Sequence, residues 1–271
     1  MPTSNPTLCG SISSRPGSFG VAMHNAAYQA TDTPFTYVAF GTQDTRAAVL
    51  AARALGIRGL GVSMPHKIEI MQHLDAIDET AAQIGAVNTV VNDDGRLTGY
   101  NTDWTGAIRA IQEKTTIAGK RAIVVGAGGA ARAIVYGLVK ENGIVTIYNR
   151  TAHKGAELAG DFGVQFGGSL AELAAATDHD ILINATSVGF HAPDESPIPP
   201  SILHEGQVVL DVVVIPLETK LAQDARSRGA IAIPGARMGV HQAAYQFELY
   251  TGKPAPLAVM EKALREHIKS L

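Results

Sequence analysis

Residues able to do chemistry cluster in three short segments of the first half of the chain. The segments are GVSMPHK at 61–67, GAVNT at 85–89 and GYNTD at 99–103, and they carry hydroxyl, amide, amino and carboxyl groups. Each segment falls at one end of a predicted strand. Ligands of open α/β sheets bind at the carboxyl ends of strands, so this placement predicts that the three segments converge on one cleft.

A glycine-rich turn follows the predicted strand RAIVV and leads directly into a helix. Its residues are Gly126, Ala127, Gly128, Gly129 and Ala130. Such a turn lets the backbone approach a pyrophosphate, whose charge then lies at the N-terminus of the helix. Glycines also close ordinary turns, so it is the strand-turn-helix context that predicts a dinucleotide site.

The end of the next strand indicates which dinucleotide binds. An acidic residue there accepts hydrogen bonds from the ribose 2′-hydroxyl in NAD sites. Here the strand ends in Tyr148, Asn149, Arg150 and Thr151, with Lys154 one turn later, and no acid is present. Arginine and lysine can bind a 2′-phosphate, which predicts NADP as the cofactor. The alternative is a solvated helix start, although cations are disfavoured at a helix N-terminus.

The elements that must position these residues form two series. Up to about Tyr100, the strands TLCGSIS, TYVAFG and GLGVS alternate with helices predicted from Ser18, Asp44 and Asp75, and a hairpin that turns at Asp94-Gly95 closes the sheet. From Arg121, the strands RAIVVG, IVTIYNR, VQFG, DILINAT, VVLDVVV and IAIPG alternate with helices, one of them from Ser169. Apolar strands separated by helices predict a parallel sheet that is covered on both faces.

These patterns predict an α/β fold with two domains. Residues 1–101 with 238–271 form an α/β substrate-binding and catalytic domain, because the spacing is helical again from Met238 to Tyr250 and from Leu257 onwards. Residues 102–237 form a Rossmann domain that binds NADP. We expect a cleft between the two domains.

Composition excludes several classes of function. The 271 residues include 22 Lys and Arg against 25 Asp and Glu, and the net charge of -3 argues against a nucleic-acid partner. Neither a signal peptide nor a membrane span is present in the sequence pattern, which predicts a cytoplasmic protein without a membrane partner. With one cysteine and nine histidines in no zinc-binding spacing, we expect no metal site.

The order of the motifs resembles a known family. SMPHK, GAVNT and NTDW are followed by GAGGAA, NRT, NATS and GVHQAA across nearly the whole chain. In this order they resemble the shikimate dehydrogenases, and the opening CGSISSRPGSFGVAMHN with DVVVIPLET is most similar to the shikimate 5-dehydrogenase-like branch. The resemblance implies an NADP-dependent oxidoreductase of aromatic amino acid biosynthesis that interconverts 3-dehydroshikimate and shikimate.

The resemblance also implies roles for individual residues. Lys67 and Asp103 match the catalytic pair, in which an amine relays the proton that leaves the carbinol oxygen. The expected substrate-binding residues are Ser18, Ser63, Asn88 and Gln242, and Asn101 lies in the same motif as Asp103. The residues expected to line the nicotinamide or its ribose are Thr186, Val213, Gly235 and Met238. His24 and His66 are expected to be packing or surface residues.

Two departures from the family pattern put the physiological substrate in question. The family binds the substrate carboxylate with a Ser-x-Ser element and a tyrosine, whereas this chain has Gly20 and Val214 at the second serine and the tyrosine. Two lost hydrogen bonds to a charged group, at roughly 1.5–3 kcal/mol each, weaken binding on the order of 10²- to 10⁴-fold unless another group such as Arg15 replaces them. Quinate and aminoshikimate are therefore alternative substrates. A catalytically weak NADP-binding regulatory protein is the alternative of another class, and we expect a monomer or a homodimer.

Overall fold

The computed structural model describes residues 6–190 and 192–271. The chain divides into two compact units. The first runs to Thr102 and resumes at Val240–Leu271, and the second is Asp103–Gly239. Each unit has its own six-stranded sheet.

The first unit begins with alternating strands and helices. In chain order they are β1 (Thr7–Ser13), α1 (Phe19–Ala30), β2 (Phe35–Gly41), α2 (Thr45–Ala54), β3 (Gly59–Val62), β4 (Ala76–Ile77), α3 (Glu79–Ile84), β5 (Thr89–Asp93) and β6 (Arg96–Tyr100). The sheet order is β2-β1-β3-β5-β6-β4. The predicted hairpin is confirmed, because β5 and β6 are antiparallel and Asp93 lies opposite Arg96. It does not close the sheet, since β4 pairs with β6 at the edge.

The helix predicted from Asp75 is wrong over its first part. A 3-10 turn at Glu69–His73 and the two-residue strand β4 precede a short helix, α3. The Asp75 carboxylate accepts a hydrogen bond from Leu97 N at 2.7 Å, which ties this residue to β6. Asp78 is instead the helix cap, and its Oδ1 accepts from Thr80 N at 3.0 Å.

The second unit follows the Rossmann pattern. Its elements are α4 (Asp103–Gln112), β7 (Arg121–Val125), α5 (Gly129–Lys140), β8 (Ile144–Tyr148), α6 (Ala152–Phe162), β9 (Gln165–Gly168), β10 (Ile181–Asn184), β11 (Val208–Asp211), α7 (Lys220–Ser227) and β12 (Ile231–Ile233). The sheet is parallel throughout, in the order β12-β11-β10-β7-β8-β9. Counted from β7, this is the 3-2-1-4-5-6 order of dinucleotide-binding sheets.

Both faces of this second sheet are covered, as predicted. Along β7, Ala122 and Val124 belong to one buried cluster and Ile123 and Val125 to another. Two predicted elements are shorter than expected. The helix from Ser169 is only a 3-10 turn at Glu172–Ala175, and the strand VVLDVVV ends at Asp211.

Two helices complete the chain, α8 (Gly235–Thr251) and α9 (Leu257–Lys269). Within the first unit, α9 packs against α1. The aromatic rings of Phe247 and Tyr250 on α8 are fully or almost fully buried. Tyr250 lies 5.9 Å from the His24 ring of α1, and Phe247 lies 5.5 Å from Tyr28.

Candidate functional site

The segment after β3 carries Lys67 on a turn that is tied to a neighbouring strand. Lys67 is half-buried, and its carbonyl oxygen accepts a hydrogen bond from Val87 N at 2.8 Å. Val62 N donates to Asn88 O at 2.7 Å. These two bonds bring the GVSMPHK and GAVNT segments together within the first unit, as the sequence predicted. Ser63 lies exposed on the same turn.

His66 is an internal anchor of this turn rather than a surface residue. Its side chain is 1% exposed. The ring atom Nε2 donates to Thr42 O at 3.2 Å, and Nδ1 lies 2.9 Å from the hydroxyl of Thr45. That hydroxyl in turn donates to Glu69 Oε2 at 2.7 Å. The residue before Lys67 is therefore fixed by hydrogen bonds to the start of α2.

Asn88 is the centre of a buried hydrogen-bond network. Its side-chain oxygen Oδ1 accepts from Thr102 N at 2.7 Å and from Thr89 Oγ1 at 2.8 Å, and its Nδ2 donates to Thr102 Oγ1 at 3.0 Å. Asn88, Thr89 and Thr102 are each 1% exposed or less. This network joins the second polar segment to the third and holds the backbone that leads into Asp103.

The third segment buries its polar groups as well. Asn101 is 2% exposed, and its Nδ2 donates to Ala86 O at 3.0 Å. Asp103 is 8% exposed and is the first residue of α4. A carboxylate in the first turn of a helix interacts favourably with the positive end of the helix dipole.

Gln246 belongs to this network, although the sequence did not single it out. It lies one helical turn after Gln242 on α8. Gln246 is 4% exposed, and its Nε2 donates to Thr89 Oγ1 at 2.9 Å and to Asn88 O at 3.3 Å. Gln242 is half-buried. The four-residue spacing of the two glutamines was the only available signal, because the partner of Gln246 lies 157 residues earlier.

At the start of α1, Ser18 contacts the C-terminal helix. Its hydroxyl lies within hydrogen-bond distance of His267 Nε2. Two residues later, Gly20 lies against Tyr37, and a Cβ at this position would be 3.2 Å from the ring atom Cε1. A larger residue at position 20 would therefore press on the phenol of Tyr37. Arg15 is exposed in the loop before α1.

In the second unit, the glycine-rich turn leaves its backbone open. Gly126 has φ +125°, and a Cβ there would lie 2.9 Å from Ala185 O, so this position favours glycine on two grounds. A Cβ at Gly128 or Gly129 would meet nothing within 4 Å. Helix α5 begins at Gly129, so this open space lies at a helix N-terminus. The turn therefore fits a pyrophosphate bound by backbone N–H groups.

The end of β8 presents two cations to solvent. Arg150 and Lys154 are exposed, and neither forms an ion pair with any residue in the part of the chain that the structure describes. Asn149 Nδ2 donates to Thr151 O at 2.8 Å, which shapes the turn between them. Thr151 precedes α6, but its side chain makes no capping bond. The positive charges are thus accessible to an anion.

A second buried network shapes the loops after β10 and β11. The Asp211 carboxylate accepts from Asn184 Nδ2 at 2.9 Å, from Thr219 Oγ1 at 2.7 Å and from Val213 N at 3.1 Å. Asn184 Oδ1 accepts from the hydroxyl of Thr186 at 2.7 Å. Burial raises the pKa of Asp211, and the three hydrogen bonds oppose that shift. The sequence named Thr186 and Val213 but missed the residues that hold them.

The remaining predicted cofactor residues lie in the packed interior of the second unit. A Cβ at Gly235 would be 2.4 Å from Val213 O, so only glycine lets α8 start against this loop. Met238 is 8% exposed and belongs to a hydrophobic cluster, and Val213 is 6% exposed. Gly235, Val213 and Met238 therefore contribute to the packing of the second unit.

The described residues lack two features of other protein classes. No group of three or more His, Cys, Asp or Glu side chains there is arranged to hold a metal ion. Among the same residues, no helix combines the length and apolar character needed to span a bilayer.

Family models match three stretches of the chain. Residues 16–90 match the shikimate dehydrogenase substrate binding domain, residues 109–193 match shikimate / quinate 5-dehydrogenase, and residues 235–265 match the shikimate 5′-dehydrogenase C-terminal domain. A protein of Moorella thermoacetica named shikimate dehydrogenase (NADP(+)) is 43% identical, over 92% of this chain and 89% of its own length.

Solved structures give the same result. A shikimate dehydrogenase in complex with NADP+ has a TM-score of 0.92 and 37% identity, over 99% of this chain and 98% of its own. The ligand-free 5-ketofructose reductase of Gluconobacter sp. strain CHM43 has a TM-score of 0.90 and 33% identity, over 97% of this chain and 99% of its own. The predicted fold class and the resemblance seen in the motifs are confirmed, and this chain belongs to the shikimate dehydrogenase family.

Proposed function

We propose that this chain is an NADP-dependent dehydrogenase that interconverts 3-dehydroshikimate and shikimate or a close ring analogue. The observation that carries the proposal is the 43% identity, over 92% of the chain, to a protein named shikimate dehydrogenase (NADP(+)). The open backbone at Gly128 and Gly129 and the exposed cations after β8 support NADP independently, because they fit a pyrophosphate and a 2′-phosphate.

In the proposed reaction, shikimate is oxidised at a ring carbinol. The C–H bond breaks as a hydride, for which bound NADP+ supplies the acceptor, and the hydroxyl proton passes to the amine of Lys67. Asp103 stabilises the charged form of that amine and orients it. Reduction of the ketone uses the same groups in reverse, so that Lys67 returns the proton to the oxygen.

The first unit, together with Asp103 at the start of the second, is assigned to the substrate, and the rest of the second unit to the cofactor. Within the first unit, Asn88, Ser63, Ser18 and Gln242 bind the hydroxyl and carboxylate groups of the ring. Within the second, residues 126–130 bind the pyrophosphate. Asn149, Arg150, Thr151 and Lys154 bind the adenosine end, and the nicotinamide side is lined by Thr186, Val213, Gly235 and Met238. Asn88 is the best supported of the substrate residues, because its buried amide is already oriented by Thr102 and Thr89.

A neutral polyhydroxy ketone is a second candidate substrate. Gly20 and Val214 offer no side-chain hydrogen bond to a carboxylate. A protein of the same architecture, 33% identical over 97% of this chain, is named a 5-ketofructose reductase. The substrate in that name, 5-ketofructose, has no carboxylate. Quinate keeps the carboxylate of shikimate but differs in its ring, so it tests whether the carboxylate or the ring determines binding.

The test is a spectrophotometric assay of purified protein with shikimate, quinate or aminoshikimate as the reductant and NADP+ or NAD+ as the oxidant. The reverse direction is assayed with 3-dehydroshikimate or 5-ketofructose and NADPH. We expect shikimate oxidation with a preference for NADP+. Turnover of 5-ketofructose without turnover of any of the three carboxylates would replace the first proposal with the second, and absence of turnover in all of these assays would refute both.

A further inference from the structure

The buried histidine of α1 lies against Gln246, its one polar partner among the described residues. His24 is fully buried, and its ring stacks on Tyr37 at a centroid distance of 4.4 Å. Its Nε2 lies 3.4 Å from Gln246 Oε1, while its Nδ1 is buried without a hydrogen-bond partner among the described residues. A phenylalanine would fill an aromatic cluster without the cost of burying polar ring atoms, so the polar contact calls for an explanation.

The hydrogen bonds around Gln246 have a defined direction. A backbone carbonyl can only accept, so the contact with Asn88 O fixes Nε2 as the atom that faces β5. Gln246 Oε1 therefore faces His24, whose Nε2 must carry the proton. Burial lowers the pKa of His24 to about 4, in agreement with a neutral ring that holds one proton.

The same direction continues into the Asn88 network. The hydroxyl of Thr89 accepts from Gln246 Nε2, and its single hydrogen is then directed to Asn88 Oδ1. Thr102 N, which can only donate, meets the same oxygen at 2.7 Å. Gln246 thus holds both the backbone of residue 88 and, through Thr89, its side chain.

We propose that Gln246, oriented by His24, is a positioning residue that sets the Asn88 amide for the substrate. This inference rests on the proposed function, because it takes Asn88 to be a substrate contact. Gln246 acts through Thr89 and Asn88 and touches neither the substrate nor the cofactor. Its loss should therefore weaken substrate binding and leave cofactor binding unchanged.

The experiment compares Gln246→Met, which keeps the length of the side chain, with Thr89→Val, which keeps its shape. For each we expect the KM for shikimate to rise about tenfold, which corresponds to one buried hydrogen bond, while the KM for NADP+ stays within twofold. The double variant should be no worse than the more affected single variant, because both break the same chain. Thr89→Ser retains the hydroxyl and should restore the wild-type KM.

Tyr250→Phe is the matched control. Tyr250 belongs to the same aromatic cluster and is 2% exposed, but its hydroxyl has no hydrogen-bond partner among the described residues. Its removal should leave both KM values within twofold of wild type. His24→Phe keeps an aromatic ring at this position but removes Nε2, and we expect a rise of about threefold in the shikimate KM.

Two failures are distinguishable. A wild-type protein that reduces NADP+ with none of shikimate, quinate and aminoshikimate refutes the proposed function. An active wild type with an unchanged shikimate KM in a folded Gln246→Met or in Thr89→Val overturns the positioning role alone. Circular dichroism establishes that each variant is folded, and if Gln246→Met is not, the contrast between Thr89→Val and Thr89→Ser decides.

Discussion

The two units prepare their candidate sites in opposite ways. In the first unit, Asn88, Thr89, Thr102 and Gln246 are buried and hydrogen-bonded to one another. In the second unit, the predicted phosphate contacts are the backbone of an open glycine turn and two exposed cations. One site is built from interlocked side chains, and the other from accessible backbone and charge.

Substitutions in the two units should therefore have different consequences. Replacing a buried, bonded polar side chain leaves its partner unsatisfied, so in the first unit binding and stability should fall together. When an exposed charge or an open glycine is replaced, no buried group loses its hydrogen-bond partner. In the second unit, cofactor affinity should therefore change without a change in stability.

The largest expected effect tests the chemistry of the first unit. Lys67→Ala should lower kcat for shikimate oxidation about 10³-fold, because no other amine is assigned to take the carbinol proton. The KM for NADP+ should stay within twofold, since the cofactor residues lie in the second unit. Steady-state kinetics measures both values.

The matched control for that variant is Lys262→Ala. Lys262 lies on α9 with a side chain that is 75% exposed, and its ion pair with Glu266 is 3.8 Å long. Surface pairs of this kind contribute little, so activity should be unchanged. If Lys67→Ala kept a tenth of the wild-type kcat, Lys67 would not be the proton carrier.

The next effect concerns cofactor choice in the second unit. The double variant Arg150→Gln, Lys154→Gln should reduce the preference for NADP+ over NAD+ about 10²-fold, because both cations are assigned to the 2′-phosphate. The KM for NAD+ should change little, and the melting temperature should stay the same. An unchanged ratio of kcat/KM for the two cofactors would contradict the assignment and leave a solvated helix start as the explanation of these residues.

A smaller effect should follow when the open turn is filled. Gly128 has φ −90° and ψ −174°, which any residue can adopt, and a Cβ there would meet no atom within 4 Å. Gly128→Val should therefore fold normally and raise the KM for NADP+ about tenfold by occupying the approach to the backbone.

Gly160→Ala provides the comparison for that variant. Gly160 lies in α6, where a Cβ would also meet nothing within 4 Å. This change should leave the KM for NADP+ unaltered and stabilise the protein by about 0.5–1 kcal/mol. Equal KM values for the two glycine variants would show that the open turn does not approach the cofactor.

The sequence predicts the local glycine turn of the second unit better than the long-range hydrogen-bond network of the first. The open turn was predictable in detail, because a local motif of glycines between a strand and a helix determines its geometry. The motif residue Asn88 was identified too. Gln246 was not, because its partners come from β5 and α1, more than 150 residues away in sequence.

One predicted helix and one predicted strand failed where a carboxylate accepts a hydrogen bond from a backbone N–H. The pattern after Asp75 favoured a helix, but its carboxylate binds Leu97 N and pairs with Arg53 at 2.9 Å. The pattern VVLDVVV favoured a long strand, but the Asp211 carboxylate accepts from Val213 N and ends it. Both competing bonds depend on side-chain geometry that hydrophobic periodicity does not encode.

The smallest expected effect is on the pH dependence of stability, and here the two units should respond in the same way. Each buries a neutral histidine, and burial lowers the pKa of His24 in the first unit and of His179 in the second to about 4. Unfolded histidine titrates near 6.5, so between these values the unfolded chain binds more protons and stability falls as the pH is lowered. From pH 7.5 to pH 6.0, each should cost about 1 kcal/mol of the free energy of unfolding. His24→Phe and His179→Leu should each remove one such contribution when urea unfolding is compared at the two pH values. A variant that keeps the full pH dependence of the wild type would show that its histidine is not held neutral in the folded unit.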